Sequence, residues 1–96
     1  MRWVLAAAIG CAAIAAATVA SAEPPAGAAA CSGCHPASAR VTSPVPRLAG
    51  LDRAAIVRAM QDFRSGTRAA TVMDRIAKGF TDDEIQAIAA WYASQR

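Results

Sequence analysis

Five residues, Cys31-Ser32-Gly33-Cys34-His35, constrain this chain more than any other feature of it. On a helical backbone, side chains three residues apart lie on one face, so two thiols at this spacing can reach the two vinyl groups of one haem and form thioethers to it. The adjoining His35 can turn a neutral imidazole onto the iron as its proximal ligand. The run therefore predicts one covalently attached haem c, held at Cys31, Cys34 and His35, and points to electron transfer. Two other chemistries use similar residues. A thioredoxin-like thiol pair needs a βαβ pattern around its C-x-x-C, and no convincing strand is visible here. A closed structural zinc site needs four ligands, whereas after residue 22 the chain has no Cys or His outside the run.

Met1 and Arg2 precede an apolar stretch from Trp3 to Ala20, and Ala20-Ser21-Ala22 has the small-x-small form of a cleavage site. Residues 1–22 are expected to be a secretory signal cut after Ala22, leaving residues 23–96 as one domain. A retained membrane anchor is the competing reading, but the stretch only reaches the lower limit of about 18 residues for spanning and is mostly alanine. Cys11 ends Ala8-Ile9-Gly10-Cys11, a faint likeness to a lipoprotein box, and is taken as discarded with the signal. The 55% hydrophobic content of the whole chain is inflated by this segment.

Domains as small as the remaining 74 residues bury a modest share of their surface and usually need a staple. Only Phe63, Phe80, Trp91 and Tyr92 remain as aromatics, a thin core unless a flat apolar macrocycle fills its centre. Nine Lys and Arg face seven Asp and Glu over residues 23–96. The basic residues are spaced singly among the acids, unlike the concentrated patch or stripe of a nucleic-acid-binding surface.

Ala26 to Ala30 are expected to lead into the Cys31 run as a short helix with proline in its first turn, stopped by Pro36. Residues 36–50 hold three prolines and no helical period, which predicts an irregular loop forming the proximal wall of the haem site. Ile56, Met60 and Phe63 recur at helical spacing within an amphipathic helix over Leu51 to Arg64. After Ser65-Gly66-Thr67-Arg68, a short helix is expected from Ala69 to Lys78, ended by Gly79 in the left-handed conformation. Thr81-x-x-Glu84 is a capping box, with Asp82, Asp83 and Glu84 at the positive end of the dipole, and it opens a last helix striped by Ile85, Ile88, Ala89 and Tyr92. The class is all-α.

Electron transfer asks for a sixth iron ligand, and a methionine thioether raises the potential. Met60 lies inside an apolar stripe, where methionine commonly fills core space, whereas Met73 follows a loop and is better placed. From Ala26 to Gln95 the chain resembles the class I c-type cytochromes. The motifs that carry the likeness are Cys31 to His35, the loop Pro46-Arg47-Leu48-Ala49-Gly50, the segment Phe63-Arg64-Ser65-Gly66-Thr67-Arg68 followed by Met73, and the aromatic final helix. The resemblance implies a small fold of about four short helices wrapped around one covalently bound haem. It assigns Met73 as the distal ligand, Pro46 as the backbone carbonyl that orients the proximal histidine, and Leu48 to the pocket lining. It also implies a closing contact of Trp91 or Tyr92 on Gly27 to Ala30. Pro36 departs from the pattern and biases His35 away from helical dihedrals.

Within that class, Thr71 to Phe80 is most similar to the cytochrome subunits of flavocytochrome c sulfide dehydrogenases. This likeness implies a periplasmic electron carrier, not itself an enzyme, that takes electrons from a sulfide-oxidising flavoprotein and passes them to a further cytochrome. A free-standing shuttle between a respiratory complex and a terminal oxidase or reductase would use the same ligands. A haem-based gas binder or sensor would need Met73 weakly bound or absent from the iron. Arg64, Arg68, Arg75 and Lys78 flank Met73 and are candidates for a basic collar that steers an acidic partner.

Overall fold

Asp52 sets the start of the longest amphipathic stretch: its carboxylate accepts the Ala55 N–H at 3.0 Å and caps α2, Arg53–Ser65. Leu51 is thereby left outside the helix and 43% exposed, which shifts the expected start by two residues. Gly66 closes α2 at φ 82°, in the left-handed region where a side chain is strained. The computed structural model describes residues 23–96 together with the isolated Ala15. The expected export segment, its cleavage site and Cys11 lie outside the described residues.

The remaining elements are α1, Ala28–Cys31, α3, Met73–Ala77, and α4, Asp82–Ser94. No strand occurs among the described residues, and no helix among them is long and apolar enough to cross a membrane. The helix α1 ends five residues before Pro36, so proline is not its stop. Ser32 to Cys34 instead form turns, with Cys34 N–H and His35 N–H both donating to the Cys31 carbonyl at 3.2 and 2.9 Å. Pro24 and Pro25 lie ahead of the helix rather than in its first turn, and Gly27 caps it at φ 86°.

The third helix is also shorter than its expected span of Ala69 to Lys78. Gly79, expected in the left-handed region, is not among the glycines of positive φ. Its small size serves another purpose, since a Cβ there would lie 3.3 Å from the Ile76 carbonyl that its own N–H reaches at 3.0 Å. By contrast the start of α4 forms as expected: Thr81 Oγ1 accepts the Glu84 N–H at 3.2 Å, and Glu84 Oε1 accepts the Thr81 N–H at 3.1 Å.

The core sits between α2, α3 and α4 and consists of Ile56, Val57, Met60, Ala77, Ile85 and Ala89, with Phe63, Met73, Phe80 and Tyr92 packed against it. Burying a side chain such as Ile85 fully contributes roughly 1.5–3 kcal/mol. Arg53 adds an edge tie between α2 and α4, donating to Gln86 Oε1 at 3.1 Å.

Candidate functional site

α1 joins this core through small residues and aromatic rings. A Cβ on Gly27 would lie 2.5 Å from Cε1 of Phe80, so only glycine admits that ring so close to the backbone. Tyr92 reaches the same helix through its hydroxyl, which donates to the Ala28 carbonyl at 2.5 Å. Burial, then the neighbouring Cys31, pushes the Tyr92 phenol above its ordinary value, so the hydroxyl keeps its proton. Trp91 lines a shallow groove of about 350 Å³ with Ala28, Ala29 and Ser32. The expected closing contact thus falls to Tyr92, and Phe80 is a second ring on α1 that the sequence reading missed.

With the end of α1 fixed, the Cys31 run is presented at the surface. Cys31 is half-buried, Cys34 is exposed, and both thiols are free. Burial pushes the Cys31 thiol up, opposed in part by a backbone hydrogen bond, and a raised thiol is a poor redox nucleophile at neutral pH. The absence of flanking strands among the described residues likewise gives a thioredoxin-like pair no frame. No group of three or more His, Cys, Asp and Glu side chains among the described residues is arranged to hold a metal ion.

His35 is half-buried, and its Nδ1 lies 2.6 Å from the Pro46 carbonyl oxygen. A carbonyl only accepts, so Nδ1 carries the proton and Nε2 of the neutral ring keeps its lone pair. The loop that brings Pro46 there is tied at several points. Arg47 Nε–H donates to the Ala37 carbonyl at 3.0 Å, while Ser38 and Ser43 hydroxyls accept from the Arg40 and Val45 N–H groups at 3.2 and 3.1 Å. At its far end Gly50, at φ 78°, donates its N–H to the Tyr92 carbonyl at 3.0 Å. Leu48 is half-buried in this loop and accepts the Leu51 N–H at 3.1 Å.

The two methionines differ in setting. Met60 is 9% exposed within the core, whereas Met73 is half-buried at the first position of α3 and packs against the core from its edge. Met73 packs against the core that α2, α3 and α4 share. Beside it, Asp74 Oδ1 is buried with no hydrogen-bond partner.

The four basic residues near Met73 do not form one set. Arg64 bonds the Phe80 carbonyl at 3.2 Å and pairs with Asp82, and Arg68 stacks over Phe63 at 4.9 Å from the ring centroid. Arg75 and Lys78 are exposed. The role of Arg64 was not legible in the sequence, because its partners lie 16 and 18 residues away.

The donor set suits a haem c: two thiols three residues apart, and an imidazole whose Nδ1–H is already engaged. No family model matches the chain. It is similar to the cytochrome subunit of sulfide dehydrogenase from Chlorobaculum tepidum, 39% identical over 64 residues that cover 67% of this chain and 58% of the relative. The thiosulfate dehydrogenase electron acceptor of Stutzerimonas stutzeri is 41% identical over 63 residues, covering 64% of this chain and 29% of that protein. Cytochrome c-552 of Acidithiobacillus ferridurans is 37% identical over 65 residues, 68% of this chain and 28% of its own length. The chain thus spans about three fifths of one of these curated relatives and under a third of the other two.

Proposed function

We propose that this chain, which belongs to the c-type cytochromes, carries single electrons through one haem c attached at Cys31 and Cys34 and ligated by His35 and Met73. The observation that carries the reading is the hydrogen bond from His35 Nδ1 to the Pro46 carbonyl, which leaves Nε2 as the ligating nitrogen. Bound haem supplies a one-electron ferric–ferrous couple. The chain does the rest. Pro46 holds the imidazole in one tautomer and orientation and raises its basicity. Cys31 and Cys34 hold the macrocycle beside that ring, and Leu48 lines its pocket. Met73, at the core's edge, offers a thioether, while the burial of Met60 supports its role as core filler.

The donor in this reading is a sulfide-oxidising flavoprotein in the periplasm, and the acceptor a further cytochrome. Its support is that the sulfide dehydrogenase subunit is matched over a larger share of its length than the other two relatives. A diffusible shuttle is the second reading, favoured by likeness to a protein named as an electron acceptor and to one named as a cytochrome c-552. The exposed Arg75 and Lys78 suit an acidic partner in either case.

A reduced-minus-oxidised visible spectrum and a haem stain on a denaturing gel test the assignment in protein matured alongside working c-type cytochromes. A covalently coloured band is expected, and a colourless product overturns the proposal. Met73→Ala should abolish the weak red band of sulfur-ligated ferric haem and lower the potential. Met60→Ala should keep the band while costing about 2–5 kcal/mol of stability. An unchanged spectrum in Met73→Ala would reassign the sixth position.

A further inference from the structure

We propose that Arg64 is a positioning residue for Met73, clasping the neck of the loop that carries its sulfur; this rests on the reading of Met73 as the distal ligand. Arg64 lies in the last turn of α2, and residues 66–80 then run from the left-handed Gly66 to the cap of α4. Its guanidinium spans that gap. One arm donates to the Phe80 carbonyl at 3.2 Å where the loop returns, and the other pairs with Asp82 in the first turn of α4. A planar fork can hold two acceptors in fixed geometry, which an ammonium cannot.

On the loop's returning side Ala77 lies in the core and Phe80 packs against it, and Arg64 adds a polar tie at the Phe80 carbonyl. The loop's outgoing side is anchored by the Arg68 N–H, which donates to the Asp62 carbonyl at 3.2 Å, and by the stacking of Arg68 on Phe63. Around Met73, however, Val72 and Ile76 are 51% and 40% exposed, and the Asp74 Oδ1 is buried without a partner. A buried, unpaired carboxylate oxygen disfavours the closed arrangement, so a tie at the neck adds to the packing that keeps the loop closed. Phe80 also packs its ring on Gly27, and the same clasp therefore sets the returning segment against α1.

The test uses the ferric holoprotein and imidazole, which binds by displacing Met73 and so reports the population of the open loop. Arg64→Gln should raise imidazole affinity about three- to tenfold, the range set by a partly exposed ion pair with one further hydrogen bond. Arg64→Lys, which keeps the charge without the fork, should not restore the wild-type value. Arg53→Ala removes a different tie between α2 and α4 and should leave imidazole affinity unchanged. Should Arg64→Gln yield no holoprotein, Asp82→Asn decides, with a rise of about twofold expected from its exposed carboxylate.

Wild-type imidazole affinity in both Arg64→Gln and Asp82→Asn, or an equal rise in Arg53→Ala, overturns the clasp while leaving the Met73 reading intact. A wild-type ferric protein without the sulfur band overturns the Met73 reading, and the clasp with it.

Discussion

The two halves of the described chain are held together by different forces. α2, α3 and α4 share an apolar core of Ile56, Val57, Met60, Ala77, Ile85 and Ala89. Between residues 23 and 50 only Ala28 is buried, and order comes from hydrogen bonds: His35 to Pro46, Arg47 to Ala37, and Gly50 to Tyr92. Exposed hydrogen bonds contribute little net stability because water competes for each group. The half that holds Cys31, Cys34 and His35 thus has little packing of its own, while the other half carries an apolar core.

Removing attachment breaks the comparison most sharply. A Cys31→Ala/Cys34→Ala chain, haem-free, should show no cooperative melt, with residual amide protection confined to α2–α4 and none across residues 28–50. A cooperative transition in that protein, followed by circular dichroism, would show that the apolar core suffices alone. Gly27→Ala probes the seam between the halves. The substitution forces a side chain into φ 86° and against the Phe80 ring, and should cost about 1–3 kcal/mol in denaturant unfolding of the holoprotein.

The smallest effect belongs to the self-packed half. Thr81→Ala removes the cap of α4 and should cost about 1 kcal/mol. Glu84 is held below the ordinary carboxylate range by its hydrogen bonds with Thr81, backbone first and hydroxyl second. A carboxyl depressed in the folded state stabilises it above the unfolded-state value, and the contribution fades as pH falls through the folded value. Unfolding curves of wild type and Glu84→Gln should therefore converge as pH drops below the ordinary glutamate range and stay apart near neutrality.

These contrasts also explain what could be read from the sequence. The capping box at Thr81 and the stripe of α4 were legible because capping and helical periodicity are local signals. The contact of His35 with Pro46 was legible only through family resemblance, since nothing within the eleven-residue separation forces the two together. Gly79 misled because a glycine after a helix suggests a left-handed cap, whereas here it admits the Ile76 carbonyl. The early end of α1 at Cys31, the ring of Phe80 on Gly27 and the bonds of Arg64 are tertiary, and no residue pattern announces them.

Tyr92 joins the two halves twice, its hydroxyl bonded to Ala28 and its carbonyl to Gly50. Both partners precede it by more than forty positions in the chain. A polypeptide made from its N-terminus therefore releases Cys31, Cys34 and His35 well before the residue that shuts the door on them exists. If haem c is attached as proposed, this arrangement would let the thiols meet it while their loop is open, before the last helix closes over it.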